Sequence, residues 1–289
     1  MEPQYFQNME APYVVNQACP YPNYSPIPQN LNTTPISSPN QYNMPIQGYP
    51  SPLINPQNPI INYSLEETEL FDDLKTSPSA SITKIFEGLI FKDVKYLVKL
   101  NGAERNIFIG KLEKGLIGNK HKNFQVKMKY IPRDVNFQEI YKDKNFDNNL
   151  INIKADPAIC GDPTVNVISC RSRIRLGVIK QPNICCCSDP EFQLININNI
   201  YKYRVTTDGC QCSYCCCDGC CCSEYETFYR ILDSSNTQIC GQISKSDCSN
   251  KEKLIYMIDF PLDATPEEKI IIIASAIVID CCIYQMVGH

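Results

Sequence analysis

The 289-residue sequence has no tryptophan, only two histidines, and almost no charge in its first fifth. His121 and the C-terminal His289 leave little for histidine-ligated metal centres or histidine-based triads, so a conventional hydrolase is disfavoured. No phosphate-binding glycine loop and no paired acid and base stand out either. Concentrated basic charge is also lacking. Residues 1–80 carry Lys75 against seven acids, a net of −6, and residues 81–289 carry 26 bases against 24 acids, a net of +2. Recognition of a phosphate backbone needs a concentrated basic surface, which disfavours nucleic acid as a partner. Met1 to Val15 shows neither a basic n-region nor an apolar h-region, so the sequence reads as lacking a secretory signal. The thiols are then expected in a reducing compartment.

What the chain does have is unevenly placed. Residues 1–63 hold 13 prolines, 17 asparagines or glutamines and 7 tyrosines, with Glu2 and Glu10 as the only charges. Such a segment buries too little apolar surface to offset its ordering entropy and reads as a disordered, Pro-rich tail with local polyproline II character. Docking to SH3- or WW-type domains is the functional reading, resting on Pro56-Gln-Asn-Pro59, and a solvated tail is the other. Residues 64–80, with Glu66, Glu67, Glu69, Asp72 and Asp73, read as an acidic connector compatible with a short helix.

From Ser81 the pattern changes. Phe124 to Tyr130, Arg171 to Leu176, Phe192 to Ile195 and Tyr225 to Ile231 are short, several alternate apolar with polar side chains, and turn residues bound them. Period-two alternation with frequent turns predicts one mainly β, antiparallel domain over 81–289. The exception is Ile270 to Met286, 17 residues with Asp280 as the only charge. As a helix this run spans roughly 25 Å, short of a hydrocarbon core of ~30 Å. Its Ile and Val residues are worth roughly −4 kcal/mol on the insertion scale, against roughly +3 for a central Asp280. Burial inside the β domain and a membrane span, with Ile270, Ile273, Ile277, Asp280, Ile283 and Met286 along the helix, both remain open on these grounds.

Three segments in order carry a resemblance. Ile239-Cys-Gly-Gln-Ile-Ser-Lys245, Phe260-Pro-Leu-Asp263 and the apolar run ending Ile279-Asp-Cys-Cys-Ile-Tyr284 resemble the C-terminal third of phospholipid scramblases. Upstream, Asn101 to Phe108 looks like the family's early hairpin, and the Cys-rich stretch 210–222 sits where the family has a cysteine-rich turn. The resemblance covers about 85–289. It implies a tubby-like fold, a closed antiparallel β-barrel of about twelve strands around a C-terminal helix, which removes exposed edges. It also implies ATP-independent, bidirectional movement of phospholipids across a bilayer, activated by Ca²⁺ and without bond chemistry. The expected setting is the plasma membrane with most of the chain cytosolic, and homo-oligomers are one way to build a path for headgroups.

The resemblance also points to site residues. The family's acidic Ca²⁺ segment corresponds to Glu252–Asp263, with Glu252, Asp259 and Asp263 as candidate ligands. Ca²⁺ takes six to eight oxygens from a loop with a turn-permitting glycine. Here Leu254, Tyr256 and Met257 replace two ligands and that glycine, and Tyr256, Ile258 and Phe260 alternate as a strand does. Thirteen of the eighteen cysteines form clusters at 185–187, 210–222 and 281–282. Cys185, Cys186, Cys187, Cys215, Cys216, Cys217, Cys220, Cys221 and Cys222 are candidate palmitoylation sites, and covalent palmitate would anchor the chain at about 0.8 kcal/mol per buried CH₂. Thiolate metal binding through Cys212-x-x-Cys215 and Cys217-x-x-Cys220 is the competing reading. Arg171, Arg173 and Arg175 alternate on an expected strand face, as do Lys127 and Lys129, and are candidates for anionic headgroups. Two further functions remain beside the scramblase: a lipid-anchored adaptor that binds the cytosolic leaflet without moving lipid, and a cysteine-rich metal or redox protein.

Overall fold

In a computed structural model of the chain, the structure describes residues 61–87, 93–103, 105–114, 124–143, 145–156, 164–181, 191–207, 227–247 and 253–281. Helix α1 (Leu65–Thr76) leads into strand β1 (Ser79–Glu87), followed by β2 (Asp93–Leu100), β3 (Asn106–Lys114) and β4 (Phe124–Tyr130). A short helix α2 (Phe137–Lys142) precedes β5 (Ile151–Asp156), β6 (Thr164–Ser169), β7 (Ile174–Lys180) and β8 (Glu191–Asn196). Then come β9 (Tyr201–Thr207), β10 (Thr227–Asp233), β11 (Ile239–Asp247), β12 (Lys253–Asp259) and helix α3 (Pro266–Ile279).

Each strand pairs antiparallel with its sequence neighbours, and β1 pairs with β12 from Ser79↔Asp259 to Ile85↔Lys253, so the sheet closes into a twelve-stranded barrel with no free edge. Alternation drives the closure. In β4, Phe124, Val126, Met128 and Tyr130 point inward while Gln125, Lys127 and Lys129 point outward. The expected hairpin at 101–108 is the β2–β3 turn, where Gly102 takes φ +83°. In β12, Tyr256 and Ile258 face the core, as the alternation there predicts.

The apolar C-terminal run is the barrel's core. None of the ten residues from 270 to 279 exposes more than 2% of its surface, because the helix is enclosed on all sides. At one end α3 reaches β8 and β9, and at the other it reaches β1, β2 and β12, so it threads the barrel. Gly177 on β7 allows the close approach. A β-carbon there would collide with Ile271 Cδ1 and lie 2.5 Å from the carbonyl oxygen of Ile195. Between burial and spanning, the structure takes burial for the described part of the run, which ends at Cys281. Ile283 and Met286 lie outside the described residues.

The acidic connector folds as α1 and joins the same core. Ser64 and Glu67 form a reciprocal capping box, and Leu70 and Leu74 are fully buried. The folded unit thus begins before residue 81. Residues 1–60 of the tail, with Pro56 and Pro59, lie outside the described residues.

Candidate functional site

In an antiparallel barrel, successive strand ends alternate between two rims. The entry rim, where α3 begins, also holds α1, the turns at 101–103 and 170–173, and the segment 260–265. The exit rim, where α3 finishes, holds Lys180, Glu191, Thr207 and the first residue of β10.

At the entry rim, acidic α1 is held by polar contacts on three sides. Arg105 Nη2 lies 2.8 Å from Asp73 Oδ2, and Arg133 pairs with Asp73 and Glu69. Arg171 Nε lies 3.3 Å from Glu66 Oε2. The buried Glu67 carboxylate accepts from the hydroxyls of Ser169 and Ser172, the latter at 2.8 Å, and from the Ser64 amide at 2.6 Å. Burial pushes the Glu67 carboxyl up, but these hydrogen bonds outweigh it and hold the group below its ordinary value. Lys269 on α3 donates to the carbonyl oxygens of Leu74 and Ser77, both at 2.8 Å, and so caps the C-terminal end of α1. Burial alone draws the Lys269 pKa down.

At the exit end, inside the barrel, Asp280 is fully buried. Lys84 Nζ of β1 lies 2.7 Å from Oδ2, Tyr96 of β2 donates to Oδ2 at 2.7 Å, and Tyr256 of β12 donates to Oδ1 at 2.9 Å. Burial and the neighbouring Cys281 and Asp280 push the Tyr96 phenol well up, which keeps it a donor. Both carboxylate oxygens are therefore matched, as a buried charge requires. The signal was present in the sequence. Lys84 follows Ala80 and Ile82 at inward positions of β1, and a lysine in an apolar register asks for a buried partner.

The residues singled out from sequence are not brought together. Arg171 and Arg173 do not share a strand face with Arg175. They lie in the β6–β7 turn, where Arg173 takes φ +57°, and β7 begins only at Ile174. Arg175 is on β7 and donates to Asn199 Oδ1 at 2.5 Å. All three remain near the entry rim, whereas the strand ends that flank the cysteine clusters in sequence, Lys180 and Glu191, then Thr207 and Thr227, belong to the exit rim. Cys185–Cys187 and Cys210–Cys222 themselves lie outside the described residues, as does Glu252. Lys253 to Asp259 is strand β12, roughly 20 Å long at strand rise, so the acidic segment is extended rather than looped. Asp259 and Asp263 sit at its entry-rim end, both exposed, and Asp263 accepts from Tyr203 at 3.4 Å. Among the described residues, no group of three or more acidic, histidine or cysteine side chains is placed to hold a metal ion.

Among the described residues no helix is long and apolar enough to cross a membrane. The outward positions of β2 to β5 carry Lys95, Lys99, Lys111, Lys127, Lys129 and Lys154, and the inward positions are apolar. A lipid-facing barrel wall has the reverse arrangement. No protein-family model, no curated protein and no solved structure matches the chain.

Proposed function

We propose that this chain is a phospholipid scramblase, moving phospholipids between leaflets in both directions without ATP. One observation carries the reading: a closed twelve-stranded antiparallel barrel wraps a C-terminal apolar helix that ends at a buried acid, Asp280, the architecture that the ordered motifs at 239–245, 260–263 and 279–284 imply. No bond is made or broken in this activity, so it asks for no nucleophile or acid–base pair. Palmitate on the cysteines of 185–187 and 215–222, Ca²⁺ at the acidic segment and Pro-rich docking through residues 1–63 belong to the same proposal.

The enclosure of α3 favours a second reading, an adaptor that binds the cytosolic leaflet and recruits partners without moving lipid. A helix with Lys84, Tyr96 and Tyr256 bound to its Asp280 is not free to line a path for headgroups. Translocation would need oligomers, a partner, or release of the helix. A fluorescent-lipid assay on purified full-length protein in liposomes, with Ca²⁺ and with chelator, separates the two. Flipping in either condition supports the scramblase, and flipping only with Ca²⁺ adds the cation to it. No flipping, with incorporation verified and with binding lost on thioester cleavage, leaves the adaptor.

A further inference from the structure

The outer wall of β2–β4 carries a row of lysines that the register sets face to face. Lys95 is opposite Lys111, and Lys111 is opposite Lys127. Directly opposed residues have Cβ atoms about 4.5–5.5 Å apart, and like charges in that relation repel. Three ammonium groups therefore begin within about 10 Å of chain on one face. Barrel packing does not ask for them, since Tyr96, Val126 and Met128 fill the inward side.

The segment between β4 and β5 folds back over this same wall as a strap. Its ends are tied by the Ile131 amide to Ile107 O at 2.9 Å and the Leu150 amide to Met128 O at 2.8 Å. Phe146 and Ile131 pack with Ile109 on the outside of β3, with Phe137, Ile140 and Tyr141 half-buried around them. Helix α2 itself buries no residue. Between its ties the strap is held by this apolar cluster and by charge. Lys129 pairs with Asp143, Lys127 Nζ lies 3.6 Å from Asp147 Oδ1, and Lys95 donates to the carbonyl oxygen of Tyr141 at 3.4 Å. Lys127 also meets Glu113 at 3.1 Å. The hydrogen bond from Lys129 is the main cause that holds Asp143 below its ordinary value.

We propose that this wall is a binding site for an anion with clustered phosphates, and that Asp143 and Asp147 of the strap occupy it in place of the ligand until the ligand displaces them. Adjacent phosphates present more negative charge over the same span than two separated carboxylates, and they reach Lys111, to which the strap offers no carboxylate among the described residues. The ion-pair part of the strap's hold is the kind that an anion competes away, because its carboxylate ends, Asp143 and Asp147, are exposed and such pairs are individually weak and screened. The site is on the barrel wall, uses none of Arg171, Arg173 and Arg175, and does not depend on lipid translocation.

Calorimetric titration of the full chain with tripolyphosphate at low ionic strength tests the site. Saturable binding is expected, weakened at least fivefold by Lys111→Ala and by Lys127→Ala and strengthened at least threefold by Asp143→Asn with Asp147→Asn. Lys180→Ala, on β7, should stay within twofold. Cosedimentation with phosphatidylcholine vesicles carrying one-tenth phosphatidic acid distinguishes the source of the phosphates. Binding of tripolyphosphate without the vesicles marks a soluble ligand, and vesicle binding that tripolyphosphate blocks marks a headgroup. No saturable binding to either, or binding that Lys111→Ala and Lys127→Ala leave unchanged, overturns the proposal.

Discussion

Helix α3 enters the barrel at Lys269 and leaves it at Asp280, and each of these two charges sits at the helix end whose dipole disfavours it, whereas Glu267 and Glu268 of the first turn sit at the end that favours them. Lys269 is 5% exposed and is met by neutral groups, the carbonyl oxygens that finish α1. Those carbonyls are the negative end of α1, so one helix's unfavourable charge is another's cap. Asp280 is met instead by a full counter-charge, Lys84, and two phenols. The entry contact binds two helices to each other. The exit contact binds the helix to three strands and sets how deep it sits. A buried charge is tolerated in either way, but removing one partner has different consequences at the two ends.

The largest effect is expected at the exit. Lys84→Ala leaves Asp280 buried without its counter-charge and should cost about 3–5 kcal/mol in urea unfolding. Lys84→Met combined with Asp280→Asn keeps an acceptor for a phenol while removing both charges, and should recover most of that loss. If the double variant is no more stable than Lys84→Ala, the pair is not what limits the exit end.

At the entry, Lys269→Met removes a donor but strands no opposite charge. The cost is that of unmet carbonyls, about 2 kcal/mol. Hydrogen exchange should place that loss in α1 first, with Asn101 to Ala103 and the far strand ends little changed. A cost equal to that of Lys84→Ala would erase the distinction between the ends.

The smallest effect is a pH dependence. Glu67 is held below its ordinary value of 4.5 in the folded state. The stability it contributes is therefore complete above pH 4.5 and is lost as pH falls through the lower folded-state value. Urea midpoints measured from pH 6 to pH 3 should fall, and Glu67→Gln should flatten that fall. An unchanged slope would place the acid sensitivity in other carboxylates.

The fold was legible because its signals were local. Phe124 to Tyr130 alternates along its whole length, and Ile270 to Ile279 is too continuous to be anything but a core element or a span. The choice between those two was not local. It is made by Lys84, Tyr96 and Tyr256, which lie 24 to 196 residues before Asp280 and come to it only when the barrel closes. Arg171 to Arg175 misled for a related reason. Alternating arginines look like a strand face, but Arg173 adopts a left-handed conformation that turns the chain there. Glu67 reads in sequence as connector charge, although its spacing from Leu70 and Leu74 puts it on the buried face of α1.

Helix α3 is expected to stay inside the barrel while the protein is at work. Hydrogen exchange of the full chain, free and bound to liposomes, tests it most directly. Amides of residues 270–279 and of β1, β2 and β12 are expected to keep the same slow exchange in both states, since helix and strands share one core. Protected α3 amides together with fast exchange in β1, β2 and β12 on liposomes would show the helix leaving the barrel for the bilayer, and would contradict it.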